Sequence, residues 1–371
     1  MTDKQTPPKG GNPVGATAND VAAPPRQGRP DVGGVSERPA AVADHAAREA
    51  LLRIDGLSVE FRTGDGVVRA VTDVSLSVDA GEIVAVVGES GSGKTVTAMS
   101  VLRLLPDTAT VEAEAISFRG TDLRGVSARE LRKIRGGPVG MIFQDPMTAL
   151  NPVMTVGAQV AEAVILHQNK PDKRAAWDRA IELLRLVGVP DPAQRVRQYP
   201  HEFSGGMRQR AMIAMAIANN PDLIIADEPT TALDVTIQAQ VLALLKKAQA
   251  ETGAATILIT HDLGVVAELA DRVVVMYAGR VVETAGIGEI FAVPRHPYTK
   301  GLLASLPRMD VDVDQLDPIP GNPPNMADPP AGCAFHPRCP LARERCVSER
   351  PPLARIGAGR TTACHFHEEL A

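Results

Sequence analysis

The chain has 371 residues, 44% of them hydrophobic and 22% charged, with a formal net charge of −5. That is the make-up of a globular protein long enough for one large domain with an attachment, or for two domains. It excludes an overall basic surface for nucleic acid; no apolar run approaches the ~18 residues of a membrane span, and the N-terminus carries no apolar export-signal core, so export is not expected.

Residues 1 to about 47 are rich in Pro, Gly and Ala and poor in large apolar side chains. They offer too little apolar area to offset ordering entropy, so a disordered leader is expected over 1–49. Leu51-Leu52-Arg53-Ile54 opens the first strand. Val67 to Val71 and Val74 to Val78 read as two more, with Gly64-Asp65-Gly66 as a turn. Ile83-Val84-Ala85-Val86-Val87 is a short β-branched run, expected as a buried parallel strand. Gly88-Glu89-Ser90-Gly91-Ser92-Gly93-Lys94-Thr95 follows, and from Val96 to Leu102 apolar residues recur at helical spacing. This is the pattern G-x-x-x-x-G-K-[ST] in its strand–loop–helix setting. The glycines let backbone N–H groups converge on phosphate oxygens, and the helix adds the positive end of its dipole. Lys94 reaches the terminal phosphates and the Thr95 hydroxyl suits Mg²⁺. The expected ligand is ATP or GTP.

From about Pro146 to Asn220 the pattern turns helical, with amphipathic helices expected over Val156–Leu166 and Trp177–Val187. In Ser204-Gly205-Gly206-Met207-Arg208-Gln209, two glycines precede a helix expected from Met207 through Ala218. A second amide nest on a chain that already has one phosphate cradle suggests a nucleotide held by another subunit. Leu223 to Ala226 is an apolar run ending in Asp227-Glu228. Asp227 is suited to hold Mg²⁺ through its water shell, and Glu228 to orient or deprotonate an attacking water. The plain alternative is an acidic turn capping the next segment. Thr256 to Thr260 reads as a strand ending at His261, and Arg272 to Met276 as another. Alternating strands and helices imply a mainly parallel sheet with helices on both faces and active residues at the strands' carboxyl ends, where Gly88, Asp227 and His261 fall. After about Phe291 the composition shifts to Pro-rich turns and carries all four cysteines, which reads as a separate appendage over 291–371.

These stretches, in this order, resemble the motif series of ABC transporter ATPases. Gly88 to Thr95 stand as Walker A, Gln144 as the Q-loop and Ser204 to Gln209 as the signature. Asp227-Glu228 stand as Walker B, Thr231-Ala232-Leu233-Asp234 as the D-loop and His261 as the H-loop. The resemblance covers roughly residues 51 to 290. It implies an α/β P-loop NTPase of RecA-like type, with a mainly parallel sheet, an antiparallel β-subdomain, a helical subdomain at about 146–220 and a small Cys-rich C-terminal appendage. It further implies ATP hydrolysis with Mg²⁺ held by Thr95, Gln144 and Asp227. Glu228, Gln144 and His261 are the implied catalytic residues, with His261 on the γ-phosphate; a lone histidine is otherwise a satisfied core residue. Val96 completes the implied ATP contacts. Phe61 sits where the family stacks an aromatic on adenine; its other reading is a strand-core phenylalanine. Ser204, Gly205, Gly206, Met207 and Gln209 are implied to act on a partner's ATP, with Asp234 at the dimer interface. Phe203 replaces the usual leucine, Met207 the usual glutamine and Thr231 the common serine; the Ser-Gly-Gly core is intact.

Phe143 to Pro152, and His296-Pro297-Tyr298-Thr299 ahead of Leu302 to Pro307, resemble the oligopeptide, dipeptide and nickel importer branch of that family. That branch implies a peripheral protein on the cytoplasmic side of the inner membrane. Its implied partners are a second, different ATPase subunit, two transmembrane permeases and an extracytoplasmic substrate-binding protein. A nickel or other small-solute importer shares these motifs. A soluble ABC ATPase acting on nucleic acid usually carries two ATPase units in one chain; here one phosphate loop and one signature occur, without a basic run interleaved with aromatics, so no nucleic-acid partner is expected.

Cys333, Cys339, Cys346 and Cys364 follow Cys-x5-Cys-x6-Cys-x17-Cys, which matches neither zinc-ribbon pairs nor the ferredoxin run. Four cysteines in a short tail of a reduced compartment read as one site for iron–sulfur or zinc, with His336, His365 and His367 as possible substitutes in a zinc site. The family resemblance puts a [4Fe–4S] cluster first, zinc second and free thiols third. The expected role is structural, since a tail with little core gains folding energy from a metal.

Overall fold

The computed structural model describes residues 50–64, 66–168, 172–231, 235–305 and 318–370. The leader assigned to 1–49 and the D-loop residues Ala232, Leu233 and Asp234 lie outside them. Short runs of Val and Ile build the main sheet, as β-branched residues buried on both faces favour. Its parallel part consists of β3 (Ile83–Val87), β7 (Val139–Ile142), β8 (Leu223–Asp227), β9 (Ala255–Thr260) and β10 (Arg272–Tyr277). Three antiparallel strands extend it at one edge: β11 (Arg280–Gly286), β12 (Ala354–Gly357) and β13 (Arg360–Thr362). The order across the sheet is β12-β13-β11-β10-β3-β9-β8-β7.

A second, antiparallel sheet pairs β1 (Leu52–Thr63) with β2 (Gly66–Val78), β4 (Ala109–Glu112) and β5 (Ala115–Phe118), and β5 with the short β6 (Thr121–Asp122). Leu52, Ile54 and Val74 of this sheet share one apolar core with Val84, Ile225 and Ile257 of the main sheet. The two strands expected at 67–71 and 74–78 are one strand, β2. Asp73 takes a left-handed φ of 54° and the pairing with β1 shifts register there, so the chain bends without leaving the sheet.

The helical region forms as its periodicity predicts. Helices Val156–Ile165 and Lys173–Leu186 are capped by Thr155 and Asp172, whose side chains accept N–H bonds from the first turn. Val160, Leu183 and Leu184 on these helices pack with Ile213 of the helix Gly205–Ala216. That helix lies hard against β7: a Cβ added to Gly140 would stand 2.2 Å from the Ala216 carbonyl oxygen.

The tail expected as a separate appendage does not stand apart, because β13 pairs with β11 and prolongs the main sheet. Glu283 of β11, 0% exposed, forms an ion pair with Arg360 at 3.2 Å and accepts the Arg295 N–H at 2.7 Å. The tail also buries His296, whose Nδ1 accepts the Tyr298 N–H at 3.1 Å. Burial pulls this imidazole down from 6.5 to about 3, only partly opposed by its bond to the Ala363 backbone. The unfolded chain therefore takes up a proton that the folded one refuses. The stabilising contribution is complete above about pH 6.5 and is lost as pH falls towards 3. Urea unfolding at pH 7 and pH 5 is expected to show a larger loss of stability for the native sequence than for His296→Gln; parallel losses would contradict the assignment. Among the described residues no helix is long and apolar enough to cross a membrane.

Candidate active site

The loop between β3 and the helix Lys94–Val101 is built on glycines that no other residue replaces. Gly88 and Gly93 have φ of 156° and 97°. A Cβ on Gly88 would lie 2.2 Å from the Met276 carbonyl oxygen, and one on Gly93 2.7 Å from that of Ala70. Lys94 is 5% exposed. Its ammonium donates to the carbonyls of Gly88 at 2.8 Å and Glu89 at 3.0 Å. Burial lowers the pKa of Lys94, and the charges of Glu228, Asp227 and Glu89 recover only part of that. The cation is thus incompletely compensated within the chain, as suits a group meant to meet phosphate.

The Thr95 hydroxyl donates to Asp227 Oδ1 at 2.9 Å. Asp227 ends β8 and is 1% exposed. Burial raises its carboxyl above the ordinary range and the Glu228 charge adds to this, against the Thr95 bond and the Lys94 charge. A hydroxyl and a buried, under-compensated carboxylate side by side are hard oxygen donors, so the residues fit Mg²⁺.

Glu228 ties three loops together. Its Oε2 accepts Gln144 Nε2 at 3.0 Å and the Thr231 hydroxyl at 2.8 Å, and lies 3.5 Å from His261 Nδ1. Burial pushes the Glu228 carboxyl up, but Thr231, His261 and Lys94 together outweigh it and hold the carboxyl below its ordinary range. Its φ of 44° is a left-handed conformation for a non-glycine residue, the kind of strain that gathers at functional sites. Asp227 ends β8, and Gln144, Glu228 and His261 follow the carboxyl ends of parallel strands, next to the loop after β3. The structure thus brings Lys94, Thr95, Gln144, Asp227, Glu228 and His261 into one place. Thr231 as a support for Glu228 went unnoticed in the sequence; a hydroxyl three residues after a carboxylate was its only signal.

The signature stretch sits elsewhere on the surface. Ser204 caps the helix Gly205–Ala216, its hydroxyl accepting the Met207 N–H at 3.4 Å. Ser204 and Gly205 are exposed, and Gly206 and Met207 half-buried. Gln209 departs from that set: at 2% exposure it packs inside the protein, not on the exposed face. Among the described residues no hydrogen bond joins this stretch to the phosphate loop of the same chain. Phe61 is half-buried on β1 against the core shared by the two sheets, and Val96 packs on the same core. Ser90 and Gly91 are exposed at the loop tip, while Ser92 is buried.

The ABC transporter family model matches residues 71–231. The dipeptide transport ATP-binding protein DppD of Escherichia coli K12 is 52% identical over 319 residues, which cover 85% of this chain and 97% of that one. The chain belongs to the ABC transporter ATP-binding proteins. The model of the oligopeptide/dipeptide transporter C-terminal region matches residues 282–346 of this ABC protein. The oligopeptide transport ATP-binding protein OppD of Mycobacterium tuberculosis H37Rv is 53% identical over 315 residues; the chain spans about half of it, 51%. Among solved structures, the ATP-binding cassette MJ0796, a dimer in a post-hydrolysis state with ADP and Pi, superposes with a TM-score of 0.57 at 28% identity. That match covers 64% of this chain and 98% of the cassette. The expected α/β P-loop fold is thereby shown.

In this ABC protein's tail, Cys333, Cys339, Cys346 and Cys364 line one cavity together with His336 and His365. Burial pushes the thiols of Cys333, Cys339 and Cys364 up, Cys364 to about 11, and the neighbouring cysteines add to the rise. The cavity measures about 20 Å³, room for a single water. Among the described residues no three His, Cys, Asp or Glu side chains are grouped to hold a metal ion. As placed, the donors do not fit the cluster or the zinc expected from the sequence.

Proposed function

We propose that this ABC protein hydrolyses ATP to drive uptake of di- or oligopeptides, as one of two different ATPase subunits beneath two permeases. The observation that carries the catalytic part is the convergence of Gln144, Thr231 and His261 on the Glu228 carboxylate beside Lys94. The substrate class is supported by the match of the tail to the oligopeptide/dipeptide transporter region and by relatives named for dipeptide and oligopeptide transport.

The chemistry follows from the residues. Backbone N–H groups of the glycine loop and the start of its helix receive the phosphates. Lys94 exchanges its two loop carbonyls for β- and γ-phosphate oxygens. Thr95 and Asp227, with Gln144 nearby, would hold Mg²⁺, which would supply neutralising charge there. Glu228 orients or deprotonates the water in line with the γ-phosphate, and His261 hydrogen-bonds that phosphate. Phe61 stacks on adenine. Ser204, Gly205, Gly206 and Met207 present their amide nest to the nucleotide of the neighbouring subunit. Gln144 carries the state of the site to the permeases. The protein sits on the cytoplasmic face of the inner membrane through those permeases, which receive substrate from an extracytoplasmic binding protein.

Purification of the native complex tests this. Two permeases and a second ATPase should accompany the chain, with ATPase activity stimulated by a peptide-loaded binding protein; recovery with RNA or DNA would overturn it, and stimulation only by nickel would overturn the substrate class. The same preparation, made without oxygen, tests the finer reading of the tail as a [4Fe–4S] cluster with zinc as the alternative. That reading rests on four cysteines lining one cavity, although their present placement does not suit a metal. A cluster gives broad absorption near ~400 nm; a colourless, zinc-loaded protein selects zinc, and a metal-free one leaves four thiols.

A further inference from the structure

One arginine of the tail grips the phosphate loop. Arg338 ends the short turn His336–Arg338, five residues after Cys333 and next to Cys339. Its guanidinium meets the Glu89 carboxylate on both sides, Nη1 to Oε2 at 2.7 Å and Nη2 to Oε1 at 2.9 Å. The Arg338 side chain is 5% exposed and that of Glu89 25%. Its other donors are also placed: Nε to the Pro320 carbonyl at 2.9 Å, Nη2 to that of Ile319 at 3.4 Å, and Nη1 to the Tyr277 hydroxyl at 3.3 Å. A buried two-pronged pair of this kind fixes direction as well as distance.

A second tail residue holds the same loop position. The Glu89 N–H donates to the Tyr298 hydroxyl at 2.8 Å. Tyr298 is fully buried, its ring 4.6 Å from that of Tyr277 and 5.4 Å from that of Phe335. The Glu89 carbonyl in turn accepts Lys94. Backbone and side chain of Glu89 are therefore both tied to the tail, and the same residue bears on the phosphate-binding lysine. The cavity that adjoins Gly88, Glu89 and His261 is walled partly by Ile319 and Arg338. A carboxylate beside a triphosphate site repels the ligand unless a cation is paired with it.

We propose that Arg338 is a positioning residue for the phosphate loop: through Glu89 it holds the loop in its nucleotide-accepting shape and cancels the negative charge beside the phosphates. The cysteine-bearing tail thus sets nucleotide affinity. The inference rests on the ATP reading above.

The test is titration of the full-length chain with a fluorescent ATP analogue and Mg²⁺. Arg338→Gln is expected to weaken binding about tenfold, because one unit charge is left unpaired near the phosphates. The double variant Arg338→Gln/Glu89→Gln is expected to recover most of that loss, since no carboxylate remains. Removing the Glu89 charge cannot repair a merely structural defect. Arg338→Lys keeps the charge but loses the fork, so it should lie between Gln and the native residue; it also carries the test if Arg338→Gln does not fold. Native affinity in both folded single variants would overturn the proposal, and so would a double variant no better than Arg338→Gln. If the native chain binds no nucleotide, the ATP reading fails and this inference falls with it.

Discussion

Glu228→Gln is expected to bind ATP as the native chain does and to hydrolyse it at least ~100-fold more slowly, the low end of what a positioned acid–base group contributes. The amide keeps an oxygen for the Thr231 hydroxyl and for Gln144, so the hydrogen-bonded knot survives. What disappears is the negative charge that draws a proton from water. Burial alone would hold this carboxyl protonated to a higher pH; Thr231, His261 and Lys94 keep it ionised instead. Comparison of nucleotide affinity with phosphate release in the assembled complex separates the two effects. Near-native turnover would take Glu228 out of the reaction.

Lys94→Ala is expected to fail one step earlier, with ATP affinity down by ~100-fold or more, the scale of losing one oriented donor from a water-poor anion site. The folded chain should tolerate the change. Burial already lowers the proton affinity of Lys94, so this ammonium is held at a cost rather than adding stability to the empty protein. Loss of binding without a fall in thermal midpoint is therefore the expected pair of results. A variant that still binds within a few-fold of native would show that the phosphates are held by the loop amides alone.

What could be read from the sequence was what local chemistry encodes. The β3 run, the glycine loop and the helix after it occupy consecutive residues, and each constrains the next. The strand ends that bear Asp227 and His261 were legible for the same reason: short β-branched runs stop where the polar residue begins. The sequence reads as two strands, 67–71 and 74–78, whereas the left-handed Asp73 lets one bulged strand, β2, continue through the gap between them. β4 and β6 escape a sequence reading because they are only four and two residues long and mostly exposed, too short for a pattern to stand out. Gln209, implied by the family resemblance to act with the signature, is buried along with Met212, Ile213 and Ala216, which follow it at helical spacing. The Glu228 knot joins residues 84 apart, and the Arg338 pair joins residues 249 apart. No periodicity reaches so far; the first was accessible only through the order of family motifs, and the second had no signal at all.

Gly140 in β7 faces the Ala216 carbonyl so closely that even a methyl group would collide at 2.2 Å. Ala216 ends the rod whose other tip is Ser204. Displacing a stiff rod at its base moves its tip bodily, so one missing carbon atom calibrates how far the outward-facing amides stand from the sheet that carries Asp227. A methyl added there would leave every reactive group intact and still put the two out of alignment.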